Sequence, residues 1–158
     1  MHISKKLPLR LGVGIIVLNN KNKIFVGKRI DNQVGNHWQM PQGGVDKGED
    51  HQTAMKRELI EETSIKNIKI IKRIEKIYEY ELPANLIGII WKGKYRGQKQ
   101  KWFITKFLGN DNEINLNTEH QEFIEWKWIN VDMLPDIIVE FKKKLYQDLL
   151  KEIKLVIG

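Results

Sequence analysis

The stretch KRELIEET, residues 56–63, sets Glu58, Glu61 and Glu62 within five positions, directly after Arg57. On a helix at about 100° per residue, Glu58 and Glu62 lie about 40° apart, with Glu61 about 60° to the other side. Three carboxylates therefore share one strip of one helix. Like charges at this spacing cost roughly 0.2–0.5 kcal/mol per pair. A solvated acidic face would show free spacing and interspersed lysines. Here the strip closes a frame, G-x5-E-x7-R-E-L-x-E-E, that starts at Gly43 and passes through Glu49. Each part has a physical use. Gly43 and Gly44 let the backbone approach a ligand closely, and the Gly43 carbonyl can coordinate a cation. The carboxylates are hard oxygen ligands for Mg²⁺ or Mn²⁺, which usually take one or two of them plus substrate phosphates. A bound cation turns the repulsion into attraction. Arg57, about 40° from Glu61 around the helix, can pair with that carboxylate and orient it.

The remaining pattern supplies a sheet for this helix. The apolar, β-branched runs LGVGIIVLN (11–19) and KIFVGKR (23–29) around NKN predict a hairpin. The turn-rich DNQVGNHWQMPQGGVDKGE (31–49) predicts a structured loop with one short strand. From Asp50 to Thr63 the pattern is helical, with Met55, Leu59 and Ile60 as the apolar side. Residues 68–82, 99–109 and 123–131 carry β-formers in alternation and read as strands. Ile138, Phe141, Leu145, Leu149 and Ile153 stand at helical spacing and predict a C-terminal amphipathic helix packed on the sheet. Its KKK run reads as a solvated face. With no internal repeat or linker, the expectation is a single α/β (α+β) domain over 1–158, a mixed sheet with a helix on either side.

Composition narrows the function classes. A chain of 158 residues that is 41% hydrophobic and 30% charged suits a soluble globular domain and argues against disorder. The absence of cysteine excludes a disulfide, a thiolate metal site and a cysteine nucleophile. The N-terminal MHISKKLPLRLGVGIIVLNN has basic residues before a short apolar run, but it lacks a small-residue cleavage site and reads as a first strand. No stretch approaches a membrane span. A cytoplasmic, monomeric protein is expected. The net charge of +7 suits a phosphate-rich ligand as well as a lysine-rich solvated surface.

The stretch GGVDKGEDHQTAMKRELIEETSI resembles the Nudix box, the signature of enzymes that hydrolyse a nucleoside diphosphate linked to another moiety; here it spans 43–65. One position departs, since Ser64 stands where the family has a helix-ending glycine. Serine can take the left-handed conformation at a cost of about 1 kcal/mol. Outside the box, WQMPQGG (38–44), YELP (80–83), GQKQKWF (97–103), QEFIEWKWI (121–129) and FKKKLYQDLLKE (141–152) occur in this order. Together they resemble the bacterial RNA pyrophosphohydrolases, also described as dinucleoside polyphosphate hydrolases of the invasion-associated type. The resemblance implies the Nudix fold, a mixed sheet between helices. It also implies two or more Mg²⁺ ions per site, with Mn²⁺ or Zn²⁺ as alternatives. Glu58 and Glu62 match the principal metal ligands, with Glu61 also in the metal shell and Gly43 offering its carbonyl. Glu122 matches a downstream glutamate that contacts metal or activates water, with Glu119 and Glu125 as neighbouring rivals. Arg29 and Phe141 match positions that hold a nucleotide of the RNA near its 5′ end, although Phe141 also suits a helix core. Lys99 and Lys101 can neutralise leaving phosphates, while alternation points Trp102 and Ile104 to the opposite, buried face. Tyr80 can stack a base or line the sheet.

The reaction implied is metal-assisted attack of water on a polyphosphate, with a glutamate taking the proton. The expected substrates are 5′-triphosphorylated or diphosphorylated RNA, left with a 5′-monophosphate and exposed to 5′-end-dependent decay. A rival hydrolase reading is the asymmetric cleavage of dinucleoside tetraphosphates. Readings of another class are a non-catalytic Nudix-fold nucleotide sensor, which would have lost box carboxylates, and a metal-free basic RNA-binding module, for which no aromatic-and-glycine signature is present.

Overall fold

The computed structural model describes residues 7–30 and 37–158. Residues 31–36 of the turn-rich loop, and the basic residues of the N-terminal stretch up to position 6, lie outside the described residues.

The predicted hairpin forms from β1 (Leu9–Leu18) and β2 (Ile24–Arg29), antiparallel with Leu18 opposite Ile24. The Asn19 side-chain oxygen accepts from the Lys21 and Lys23 backbone N–H groups, each at 2.9 Å. Asn22 takes a left-handed φ of 58°, which asparagine tolerates better than most residues. Beyond this turn the two strands part, and the segment 39–44 is wedged between them. Its β3 (Gln42–Gly44) pairs antiparallel with β1, Val13 opposite Gly43, while Gln39 bridges to Gly27 of β2. Pro41 has no N–H to donate, but its carbonyl accepts from Ile15 at 2.9 Å.

The sheet is completed by β4 (Ile68–Glu81), β5 (Gly97–Phe107) and β6 (Phe123–Ile129) in the order β4-β5-β1-β2-β6. Among the described residues only the β1–β5 pair is parallel, so the sheet is mixed as expected. A helix covers each face. On one, α1 (His51–Thr63) sets Ala54, Met55 and Leu59 against Val13, Ile15, Val17 and Phe103. On the other, α3 (Lys143–Ile157) sets Leu145, Tyr146, Leu149 and Ile153 against Ile16, Trp102 and Ile104. Gly12 to Leu18 of β1 is therefore buried on both sides and reads as a continuous apolar run. No helix among the described residues is long and apolar enough to cross a membrane.

Two helical expectations need correction. Ile60 lies outside the apolar side of α1 and is 39% exposed. The buried stripe is Ala54, Met55, Leu59 and then Glu62 and Thr63, because Ile60 sits 100° past Leu59 around the axis. At the C-terminus, helical spacing from Ile138 overran the helix. A short α2 (Leu134–Ile137) is followed by extended Ile138 and a single 3-10 turn at Glu140–Lys142, and α3 begins only at Lys143. Phe141 and Lys142 thus sit on a turn, not on a helix face. The chain between β4 and β5 forms turns and a 3-10 stretch, Ile90–Gly93.

Helix α1 carries its own boundaries. Asp50 accepts from the Thr53 N–H at 2.7 Å as N-cap. Ser64 ends the helix in the left-handed conformation (φ 67°, ψ 8°), with its N–H on Ile60 at 2.9 Å. Its hydroxyl donates to the Asn115 carbonyl at 2.8 Å, a bond a glycine would lack.

Candidate active site

A cleft of about 600 Å³ opens where β2 and β4 end, bounded by α1, β3 and the turn before α3. Glu58, Glu61 and Glu62 of α1 form one wall, and Glu122, just before β6, faces them. Of the three downstream rivals, Glu122 lines the cleft and Glu119 and Glu125 do not. Gly43 lies directly under Glu58: a Cβ there would occupy the space of the Glu58 carboxyl. The glycine is required by close approach.

Arg57 organises this wall. Its Nε and one terminal nitrogen donate to Glu49 at 2.8 and 2.9 Å, and that nitrogen also donates to the Gly44 carbonyl at 2.9 Å. The other terminal nitrogen donates to Glu58 at 2.8 Å and, more loosely, to Glu61 at 3.2 Å. The sequence expectation of an Arg57–Glu61 pair holds, but Glu49 and Glu58 are the closer partners. Arg57, helped by the Asp46 backbone N–H, holds the Glu49 carboxyl down to about 2. Burial pushes Glu58 up, with Arg57 opposing it. Glu62 is 4% exposed and is pushed well above the usual carboxylate range, first by burial and then by the charges of Glu58 and Glu122. Against these stand the Arg29 charge and the Gln42 backbone N–H.

No three acidic or histidine side chains among the described residues already converge as a metal cage. The donor chemistry nonetheless fits a hard divalent cation. Such an ion takes one or two carboxylates and fills its shell with water and phosphate. A carboxylate buried beside two like charges is what a bound cation would relieve. Glu58, Glu62 and the Gly43 carbonyl could hold such an ion, with Glu61 and Glu122 lining the same cleft.

Cations occupy the middle of the cleft: Arg10 of β1, Arg29 at the end of β2, and Lys142. Arg29 lies 3.7 Å from Glu122. Lys142 is buried over the Tyr80 ring, 5.1 Å from its centroid, and burial lowers its amine to about 7, with Arg29 adding to the shift. Phe141 packs against Tyr80 at 5.9 Å, so these two expected binding residues do meet in the cleft. The Tyr80 hydroxyl accepts from Gln98 at 2.9 Å, and burial pushes it up to about 12.

Lys99 and Lys101 are not brought to the cleft. The β5 side chains that bond to cleft-lining residues are the buried Gln98, which donates to Tyr80, and Gln100, which donates to Gln42 at 3.1 Å and accepts from Trp102 at 3.0 Å. Alternation then turns Lys99 and Lys101 to the α1 side, Lys99 opposite Glu79 and Lys101 in a groove with His51, Lys56 and Arg73. Trp102 and Ile104 are buried as expected, but on the same face as the cleft. The sequence reading passes over Arg10, and its solvated KKK face needs correction at Lys142, which is buried and lines the cleft because it sits on the turn before α3. The one available signal was Lys142 standing next to Phe141.

The pattern of the NUDIX domain matches residues 8–149. An RNA pyrophosphohydrolase of Pelagibacter ubique (strain HTCC1062) is 62% identical over 152 residues, covering 96% of each chain. One of Rickettsia conorii (strain ATCC VR-613 / Malish 7) is 47% identical over 151 residues, covering 96% of this chain and 93% of that one. Among solved structures, the E. coli dihydroneopterin triphosphate pyrophosphohydrolase superposes with a TM-score of 0.70 at 16% identity, over 92% of this chain and 99% of that one, a likeness of fold. A box whose Gly43, Glu58, Glu61 and Glu62 line one cleft, with Arg57 bonded to Glu58 and Glu61, in a chain matched over almost all of its length, leaves one conclusion: the chain belongs to the Nudix family.

Proposed function

We propose that this chain is a divalent-metal-dependent hydrolase that removes pyrophosphate from the 5′-triphosphate end of RNA and leaves a 5′-monophosphate. The observation that carries the reading is a cleft in which a carboxylate wall meets three cations and an aromatic pair. Polyphosphate chemistry needs the first two; the aromatic pair adds a place for a base. The naming of near full-length relatives as RNA pyrophosphohydrolases supports the same substrate. We take 1–158 as one Nudix domain acting in the cytoplasm, where such RNA ends occur.

When bound, Mg²⁺ or Mn²⁺ supplies charge neutralisation at the phosphoryl oxygens and activation of water; the all-oxygen donor set favours either over Zn²⁺. The chain does the rest. Arg57 holds Glu58 in place from Glu49 and the Gly44 carbonyl. Arg10, Arg29 and Lys142 draw the polyphosphate into the cleft. Arg29 and Phe141 clamp a base beyond the first nucleotide. Glu61 and Glu122, 51% and 44% exposed, are the carboxylates that water can reach, and one of them takes its proton. Water oxygen joins one phosphorus, the α–β anhydride bond breaks, and pyrophosphate leaves.

A second reading, asymmetric cleavage of dinucleoside tetraphosphates, is favoured by a second apolar wall at Leu86, Ile89, Ile90 and Trp91. Side-by-side kcat/KM on triphosphorylated RNA, diphosphorylated RNA and diadenosine tetraphosphate decides. A tenfold preference for triphosphorylated RNA supports the proposal, and a tenfold preference for either of the other two overturns it.

A further inference from the structure

The arm between β4 and β5 pairs exposure with backbone strain. Ile89 is 70% exposed. Trp91 (φ 55°, ψ 38°) and Lys92 (φ 58°, ψ 25°) are left-handed in succession, a conformation that residues with a Cβ rarely adopt. Glycine would sit there at no steric cost, as Gly88 and Gly93 do nearby at positive φ. An indole is kept where glycine would fit the backbone better.

What the indole reaches is Arg10, whose guanidinium carbon lies 5.4 Å from the ring centroid. On its other flank Arg10 lies against Gly44, where any side chain would run into the guanidinium. Its charge is felt at Glu58. Arg10 therefore stands between the apolar wall and the carboxylate wall, held from two sides. A loose arginine samples many rotamers, whereas a clamped one is pre-organised for the forked contact that phosphate offers.

We propose that Trp91 is a positioning residue: through the guanidinium stacked on its ring, it sets Arg10 to receive the phosphate next to those at the carboxylate wall. The proposal rests on the polyphosphate reading above, but not on RNA as the preferred substrate. It accounts for the strain, since the left-handed pair turns the indole back over the cleft.

A double-mutant cycle tests it. The probe is an RNA dinucleotide whose 5′-triphosphate carries a non-hydrolysable methylene bridge, titrated by calorimetry with Mg²⁺ present. The proteins are wild type, Trp91→Asn, Trp91→Phe, Arg10→Ala and Trp91→Asn with Arg10→Ala. Asparagine is chosen because it tolerates the left-handed backbone, so the ring is lost without added strain. Trp91→Asn is expected to weaken binding about 3- to 30-fold. Trp91→Phe, which keeps a π face, should stay within about threefold of wild type. In the Arg10→Ala background Trp91→Asn should cost nothing further, because the two residues act as a unit. In turnover on native triphosphorylated RNA the loss should fall on KM, with kcat held. An equal loss with and without Arg10, or no loss at all, overturns the proposal. If wild type binds the probe yet turns over no RNA, the RNA reading fails while the cycle still decides the role of Trp91. No binding by wild type overturns both.

Discussion

Lys142 is an amine buried at the candidate active-site cleft, and Lys142→Met measures what that burial costs. Burial lowers its amine from 10.5 to about 7. The gap of 10.5 − 7 = 3.5 units, at about 1.4 kcal/mol per unit, sets a ceiling of about 5 kcal/mol. The Tyr80 and Phe141 rings, 5.1 and 5.9 Å from the ammonium, offset part of it. Methionine keeps the unbranched shape without the charge, so a gain of about 2–4 kcal/mol is expected near pH 7. The sign follows from linkage. Above about pH 10.5 the amine is neutral in both states and contributes nothing. As pH falls from there towards 7, the unfolded chain takes up the proton first, and the native state loses stability. The methionine variant escapes that loss. Thermal unfolding in chelator should therefore show Tm raised by about 4–16 °C at pH 7, at roughly 2–4 °C per kcal/mol, and the difference should shrink towards zero near pH 10.5. A gain of the same size at both pH values, or a lower Tm at pH 7, would refute the reasoning. KM for a polyphosphate should rise in the same variant, since the cleft loses a cation.

Glu62→Gln should abolish hydrolysis at saturating Mg²⁺ with the fold intact. Without metal it should be more stable than wild type above about pH 4.5, and not below, because the raised carboxyl costs native stability as pH climbs from 4.5 to its folded pKa; near-normal turnover would sink its assignment as a ligand. Replacing Arg29 and Phe141 together by alanine should cost about 5- to 150-fold in kcat/KM on a triphosphorylated dinucleotide and largely spare GTP at matched salt; equal losses on both would assign the pair to the fold or the phosphate site. Ser64→Gly relieves a left-handed serine but deletes its 2.8 Å bond to Asn115. The two effects are of similar size, so urea unfolding should move by no more than about 0.5 kcal/mol; a larger stabilisation would mean that the hydroxyl bond contributes nothing.

Much of the site was legible in sequence because its chemistry is local. The spacing of Glu58, Glu61 and Glu62 puts them on one strip whatever surrounds the helix, and Asp50 and Ser64 mark its ends from neighbouring atoms alone. The frame gave Gly43 a close approach to a ligand, but what the glycine makes room for is the chain's own Glu58, a contact that only the fold creates. Hairpin, mixed sheet and covering helices followed from period and turn residues.

Other features depended on how distant segments meet. Alternation along β5 separates Lys99 and Lys101 from Gln98 and Gln100 but does not say which set faces the ligand. That is decided by β1 and β2 parting to admit residues 39–44, with the Tyr146 hydroxyl oxygen of α3 accepting from the Met40 N–H at 2.7 Å. Ile138 and Phe141 fit a helical period, yet their segment is drawn off it, with the Ile137 carbonyl taken by Trp38 at 2.9 Å, and so Phe141 and Lys142 enter the cleft. Arg10 becomes a cleft cation only when the strained turn at Trp91 folds back on it from some eighty residues away. By itself the sequence determined the carboxylate-bearing helix and the family, because helical spacing is a property of neighbours. The tertiary structure alone decided which cations and aromatics join that helix, because strand facing and loop return are set by contacts between residues far apart in the chain.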